Sequence, residues 1–210
     1  MAKPKAPAKP GKFITLEGVD GAGKSTHLDF LADKIRARGV ELVVTREPGG
    51  TVLGEKLRQL LLNEAMQPDT ELLLMYAARA EHVATVIKPA LAKGTWVLSD
   101  RFHDASFAYQ CGGRGIDVNR LLDLEEWVLG DFKPDLTLLF DVAPKIAAKR
   151  RAQARAADRF EQEQAAFFTR VREAYLLRAK AEPDRIRVVD SALDIELIRA
   201  DLDWILQTIS

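Results

Sequence analysis

The sequence predicts one α/β domain, a doubly wound parallel five-stranded sheet flanked by helices. Three observations carry that expectation. Short apolar, β-branched runs alternate with longer stretches of helical periodicity, the order that builds parallel sheets. The run Asp135-Leu136-Thr137-Leu138-Leu139-Phe140-Asp141 is almost continuously hydrophobic, as suits a strand covered on both faces. A glycine-rich loop, Gly18-Val19-Asp20-Gly21-Ala22-Gly23-Lys24-Ser25-Thr26, stands between the first strand and the first helix.

Phe13-Ile14-Thr15-Leu16 reads as a buried first strand, and Leu28, Leu31 and Ile35 mark the helix after the loop. Gly39 is placed to cap that helix before a second strand, Val40 to Thr45. Arg46-Glu47-Pro48-Gly49-Gly50-Thr51 follows as a rigid turn at a strand's carboxyl end, where open α/β sheets bind ligands. Leu53, Leu57, Leu60 and Leu61 define a helix that carries Arg58, and a second helical stretch runs from about Asp69 to Lys93 through Met75, Tyr76 and Arg79. After Gly94, Thr95 to Ser99 reads as a third strand with Asp100-Arg101 at its end. Phe102 to Gln110 reads as a short helix and Cys111 to Gly115 as a flexible turn. A helix over Val118 to Leu129 precedes the fourth strand. Lys145 to Arg159 is the most basic part of the folded chain, either a solvated helical face or a mobile lid. Phe160, Gln164, Phe167, Phe168, Val171 and Tyr175 predict a long helix; Arg187 to Asp190 is the last strand, and Ile198, Leu202, Ile205 and Ile209 give a closing helix.

The loop matches G-x-x-x-x-G-K-[ST] at every required position, in the strand–loop–helix setting that gives the pattern its meaning. Its glycines let backbone N–H groups approach an anion, and the helix starting near Lys24 adds its positive end. Lys24 is suited to reach the β- and γ-phosphates of a nucleoside triphosphate, and Ser25 to take a Mg²⁺ position. Asp100 can hold Mg²⁺ through water, and Arg101 can clamp a phosphate; a surface ion pair is the bland alternative, but their position beside the phosphate loop favours function.

Composition narrows the rest. Lys+Arg and Asp+Glu are both 31 in 210 residues, so net charge points neither to nucleic acid nor to a membrane surface. The single cysteine, Cys111, excludes an intrachain disulfide. No apolar run approaches a membrane span, and residues 1–12, rich in Lys, Pro and Ala, read as a disordered basic tail rather than a secretory signal. The expected compartment is the cytoplasm.

Taken together, the motifs resemble thymidylate kinase of the bacterial type, along nearly all of residues 13–210. They are the phosphate loop, Thr45-Arg46-Glu47-Pro48-Gly49-Gly50-Thr51, Ala77-Ala78-Arg79, Asp100-Arg101-Phe102 leading to Ala108-Tyr109-Gln110, and Asp158-Arg159-Phe160-Glu161. The resemblance implies a P-loop nucleoside monophosphate kinase fold and the phosphorylation of dTMP to dTDP with MgATP, in dTTP synthesis, by a homodimer. It also implies roles. Asp20 takes the sugar 3′-hydroxyl, and Arg58 and Arg101 hold the dTMP phosphate as guanidinium forks suit its oxygens. Arg79 meets the thymine carbonyl edge, with Ser106 and Gln110 completing base recognition. Tyr109 lies under the deoxyribose, and Glu47 and Pro48 shape the pocket and orient an arginine.

The chain departs from the family pattern in places. Met75 stands where many relatives place a Phe to stack on thymine, with Tyr76 as a possible substitute, and Ala105 stands where a common signature has Ser. One version of the family carries an arginine inside the phosphate loop; here that position is Gly21. The missing charge is then expected from the basic stretch, Arg155 first and Arg151 second, over a lid at about residues 145–159. Competing readings are a kinase of the same fold with another acceptor, and a nucleotide switch of the small GTPase kind. The switch lacks its Asn-Lys-x-Asp motif here.

Overall fold

Strand β1 (Phe13–Glu17) is buried along its whole length, with a strand on either side of it. In the computed structural model that describes residues 10–152, 159–160 and 163–209, the sheet order is β2-β3-β1-β4-β5, all parallel. The other strands are β2 (Leu42–Arg46), β3 (Trp96–Asp100), β4 (Leu136–Asp141) and β5 (Ile186–Asp190). Register sets Leu16 beside Asp100 and Leu138, so the ends of three strands converge where the phosphate loop leaves the sheet.

Helix α1 (Lys24–Arg36) starts at the loop, and Leu31, Ala32 and Ile35 pack it on the sheet. Helix α2 (Val52–Asn63) is capped by Thr51, whose Oγ accepts from Gly54 N at 2.8 Å. Helix α3 (Pro68–His82) runs through a wider turn at Val83–Ile87 into α4 (Lys88–Ala92). Beyond β3 come α5 (His103–Ser106), α6 (Val118–Leu129), α7 (Pro144–Ala152), α8 (Ala165–Ala181) and α9 (Ile195–Gln207). The doubly wound parallel sheet is therefore as the sequence predicts.

Three local readings are corrected. Cys111 to Gly113 is not a turn: wide i→i+5 turns continue α5 over Phe107–Gly113. The two glycines serve close approach instead, because a Cβ on Gly112 would collide with Ala174 and one on Gly113 with Phe167, both on α8. The helix predicted from Phe160 begins at Ala165, after Gln164 caps it in extended conformation. At the other end, Gly11 and Lys12, read with the tail, are tied to the fold: Gly11 N donates to Leu91 O at 2.9 Å and Lys12 O accepts from Val97 N at 2.9 Å. Residues 1–9 lie outside the described residues.

A buried ionic cluster fixes the segment after β3. Asp104 accepts from Arg185 Nη1 at 2.7 Å and Nη2 at 2.9 Å and from Arg178 Nε at 3.0 Å, which ties α5 to β5 and α8. Burial alone would raise the Asp104 carboxyl, but His103 and the two arginines hold it well below the usual carboxylate range.

Candidate active site

The phosphate loop bends where glycine alone is comfortable. Gly18, Gly21 and Gly23 have φ of 135°, 81° and 95°. Val19 and Ala22 turn their side chains into the core, so they serve the loop through backbone. Lys24 Nζ, nearly buried, donates to Gly18 O at 3.1 Å, while Ser25 and Thr26 are exposed at the mouth of α1. Asp20, Gly21, Gly23, Lys24, Ser25 and Thr26 line one wide, solvent-open chamber, together with Asp100, Arg150 and Arg151. Gly21 offers no room for a side chain: a Cβ there would collide with the Ala147 carbonyl of α7. The position that holds an arginine in one version of the family is thus closed by α7, and α7 brings Arg151 to the same place. Arg151 Nη1 donates to Asp20 O at 2.7 Å, and its guanidinium stacks on Phe168 at 3.9 Å. Arg150 Nη2 donates to Ser191 O at 2.9 Å. Arg155 lies outside the described residues.

A second, tighter chamber adjoins the first and shares lining residues with it. All the residues expected to hold the acceptor nucleotide line it: Asp20, Glu47, Pro48, Arg58, Met75, Arg79, Arg101, Ser106, Tyr109 and Gln110, with Leu62, Phe102, Ala105 and Phe160 beside them. Asp20, Glu47, Arg58 and Arg101 line both chambers and form the junction. Tyr76 is not among the lining residues; it sits behind Arg79, whose guanidinium lies 4.6 Å over its ring.

At the junction, Asp20 Oδ1 accepts from Arg101 Nη2 at 2.8 Å and Oδ2 from Tyr109 Oη at 3.0 Å. Burial pushes the Asp20 carboxyl up, but Arg101, Lys24 and the Tyr109 hydroxyl outweigh it and leave it at about 2. Arg101 itself has φ of 77°, a left-handed backbone that costs a side-chain-bearing residue on the order of 1–3 kcal/mol. The strain is held by its N–H on Leu16 O at 2.9 Å and by Ser99 Oγ donating to its carbonyl at 2.8 Å. Arg58 Nη1 donates to Pro48 O at 2.9 Å, across the turn whose Glu47–Pro48 bond is cis.

The wall of the tight chamber is a chain of buried pairs. Glu47 Oε2 accepts from Arg79 Nε at 2.7 Å, and Glu47 Oε1 lies 2.9 Å from His82 Nδ1, whose Nε2 is 2.8 Å from Thr45 Oγ1. Burial would raise the Glu47 carboxyl, but Arg79 and His82 bring it below its ordinary value. Arg79 also donates from Nη1 to Ser106 Oγ at 3.1 Å and from Nη2 to Phe102 O at 3.0 Å. Behind it, Glu17 accepts from Phe102 N at 2.7 Å and Tyr175 Oη at 2.8 Å; full burial and the neighbouring Asp104 push its carboxyl up to about 8.

Sequence reading did not single out His82, Glu71, Arg150 or Phe160 for the site. Phe160 stood in a quoted motif, and Arg150 in the basic stretch, but neither pattern says which side chain turns inward.

A phosphate loop at the carboxyl edge of a parallel sheet, opening through an arginine–aspartate junction into a second chamber, defines a P-loop phosphotransferase with two substrate positions. The model of the thymidylate kinase family matches residues 16–202. A thymidylate kinase of Thiobacillus denitrificans is 62% identical over 201 residues, 96% of this chain and 98% of that one. One of Cupriavidus necator is 59% identical over 201 residues, 95% of this chain and 99% of that one. A crystal structure of thymidylate kinase from Ehrlichia chaffeensis superposes with a TM-score of 0.77 at 37% identity, covering 94% of this chain and 99% of that one. The chain belongs to the thymidylate kinase family and is an enzyme of that type, a transferase.

Proposed function

We propose that the wide chamber takes ATP and the tight chamber dTMP, and that the γ-phosphoryl group crosses between them at the Asp20–Arg58–Arg101 junction to give dTDP. The observation that carries this reading is that junction, where two arginines stand beside the phosphate loop and face both chambers. Arg58 and Arg101 hold the acceptor phosphate, whose oxygen is already a competent nucleophile, so no covalent intermediate is needed. Catalysis is then alignment plus neutralisation of the charge on the transferring group. Lys24 supplies one cation. Arg151 supplies another by leaving the Asp20 carbonyl for phosphate oxygens, and Arg155 stands as a further candidate. Closure of residues 145–159 as a lid would exclude water from the reaction. Asp20 receives the sugar 3′-hydroxyl, which explains an acid inside an anion cradle. Tyr109 lies under the deoxyribose, Arg79 and Ser106 present donors to the thymine edge, and Met75 covers the ring face.

A Mg²⁺ ion fits the wide chamber. Asp100 Oδ1 is buried there without a hydrogen-bond partner, and the Ser25 hydroxyl lines the same space. One hydroxyl and one carboxylate beside phosphate oxygens suit an ion that keeps most of its ligands as phosphate and water. When bound, Mg²⁺ neutralises charge on the β- and γ-phosphates. Homodimer formation is supported by apolar residues exposed on adjacent helices, Val52 and Leu60 on α2, Leu73 on α3 and Trp127 on α6, and sedimentation tests it. Among the described residues no helix is long and apolar enough to cross a membrane. We place the enzyme in the cytoplasm, with its nucleotide substrates and without a role for nucleic acid.

A coupled assay across nucleoside monophosphates tests the function. The expected result is a kcat/KM for dTMP above those for UMP, CMP and AMP; equal or greater efficiency with AMP sinks the reading.

A further inference from the structure

Gln110 lines the tight chamber, but what it can say to a base depends on which end of its amide points there. An amide offers an acceptor from Oε1 and two donors from Nε2. Here the choice is made by a buried carboxylate behind the chamber wall. Gln110 Nε2 donates to Glu71 Oε1 at 2.8 Å, with both side chains almost wholly buried. Glu71 cannot turn away from this bond. Arg159 Nη2 donates to its Oε2 at 2.7 Å, and Arg114 Nε bridges both oxygens at 3.3 Å. A carboxylate only accepts, so the NH₂ end of Gln110 must face it and the carbonyl end is left for the chamber.

We propose that Glu71 is a specificity-determining positioning residue: by holding the Gln110 amide in one orientation, it makes the base chamber accept a pyrimidine that carries a hydrogen on N3 and refuse one that carries a lone pair there. Thymine and uracil have the N3–H; cytosine does not. The inference rests on the reading that this chamber takes the base. Arg79 complements it from the next position along the base edge. Three of its five N–H groups are engaged by Glu47, Ser106 and Phe102, which leaves donors suited to a 4-carbonyl and not to a 4-amino group.

Glu71→Gln is the decisive variant because its own amide is forced. Arg159 donates to the Oε2 position, so the new carbonyl must sit there and the new NH₂ must face Gln110. Gln110 then turns its carbonyl toward that NH₂, away from the chamber, and offers its own NH₂ to the base, the partner for a lone pair on N3. The expected result is that the ratio of kcat/KM for dTMP over dCMP falls by about tenfold or more, the worth of one mismatched hydrogen bond in a closed pocket. The fall comes mainly from poorer use of dTMP, and dCMP improves or holds. Arg120→Gln, which removes an exposed ion pair with Asp69 on the same helix as Glu71, should leave the ratio in place. If Glu71→Gln lowers both substrates equally, Glu71 is only a structural ion-pair partner and the proposal is overturned. If the wild-type enzyme shows no preference for dTMP over dCMP, it is the assignment of the chamber that fails.

One arm needs no variant at Glu71. The side-chain NH₂ resonances of Gln110, assigned by their loss in Gln110→Met, should exchange slowly with solvent in the nucleotide-free enzyme, because Glu71 already holds them. Exchange as fast as that of an exposed glutamine overturns the proposal even if Glu71→Gln does not fold.

Discussion

The two chambers meet at Asp20 and Arg101, yet their charged groups are satisfied in different ways. In the tight chamber the buried groups pair chiefly side chain to side chain, Arg79 with Glu47, Glu47 with His82 and Gln110 with Glu71, although Arg79 also meets the Phe102 carbonyl. In the wide chamber, cations rest on main-chain carbonyls: Lys24 on Gly18, Arg151 on Asp20, Arg150 on Ser191. The difference matters energetically. Buried polar pairs that satisfy each other are costly to separate, so the tight chamber is set before a ligand arrives. A bond from guanidinium to a neutral carbonyl is weaker than one to a phosphate oxygen, so the wide chamber exchanges partners when an anion enters. One region is built to discriminate, the other to rearrange.

The largest expected effect comes from breaking the rearranging side. Arg151→Ala should lower kcat by roughly 10³ or more, as removal of a transition-state arginine does, with the KM for dTMP little changed. Steady-state kinetics check it, with Arg155→Ala and the double variant beside it. A near-normal kcat in the double variant would mean that the basic stretch is a solvated face after all.

Breaking the discriminating side should show first in stability. Glu47→Ala leaves Arg79 buried without its carboxylate, a loss of about 3–5 kcal/mol. Chemical denaturation should register it as a lower midpoint, alongside a raised KM for dTMP. A variant as stable as wild type would mean that Phe102 O and Ser106 suffice to hold Arg79, and that the wall is less tightly set than its geometry implies.

An effect that depends on pH sharpens the same contrast. Glu17, under the tight chamber, has its carboxyl raised from 4.5 to about 8. The folded state therefore holds a proton that the unfolded state releases between those values. Its contribution is fully present below about pH 4.5 and is lost as pH rises through about 8. Glu17→Gln, which mimics the protonated acid, should remove this part of the pH dependence. Melting curves taken from pH 5 to 9, roughly the span of that titration, should show wild type losing ground to the variant as pH rises. Parallel curves would place the proton elsewhere.

What was legible in the sequence was local or periodic. The phosphate loop lies within nine consecutive residues, and its strand and helix flank it directly. The residues that line the tight chamber were reached through the resemblance to thymidylate kinase, which carries roles onto helices, turns and strand ends that the residues alone do not bring together. The misses follow from the same logic. Glu71 bonds Arg159, 88 positions away, and Gln110, 39 positions away, and no periodicity encodes such a pair. On its helix Glu71 reads as an acid of the first turn, which is commonplace. Gly112 and Gly113 read as a turn because glycine breaks helices locally, whereas here it lets two helical segments touch. Arg150 and Arg151 are neighbours in one basic run, and only the path of α7 decides which carbonyl each one meets.

The cations resting on carbonyls also bear on how the enzyme is handled at the bench. Lys24, Arg150 and Arg151 line a space open to any small multivalent anion. Sulfate or inorganic phosphate that binds there binds the folded chain and not the unfolded one, and so raises its melting temperature by mass action. On the proposed reading the same anion occupies the place of the triphosphate. Protein stored in phosphate should therefore melt higher and turn over more slowly than the same protein in a zwitterionic buffer of equal ionic strength, and more ATP should restore the rate.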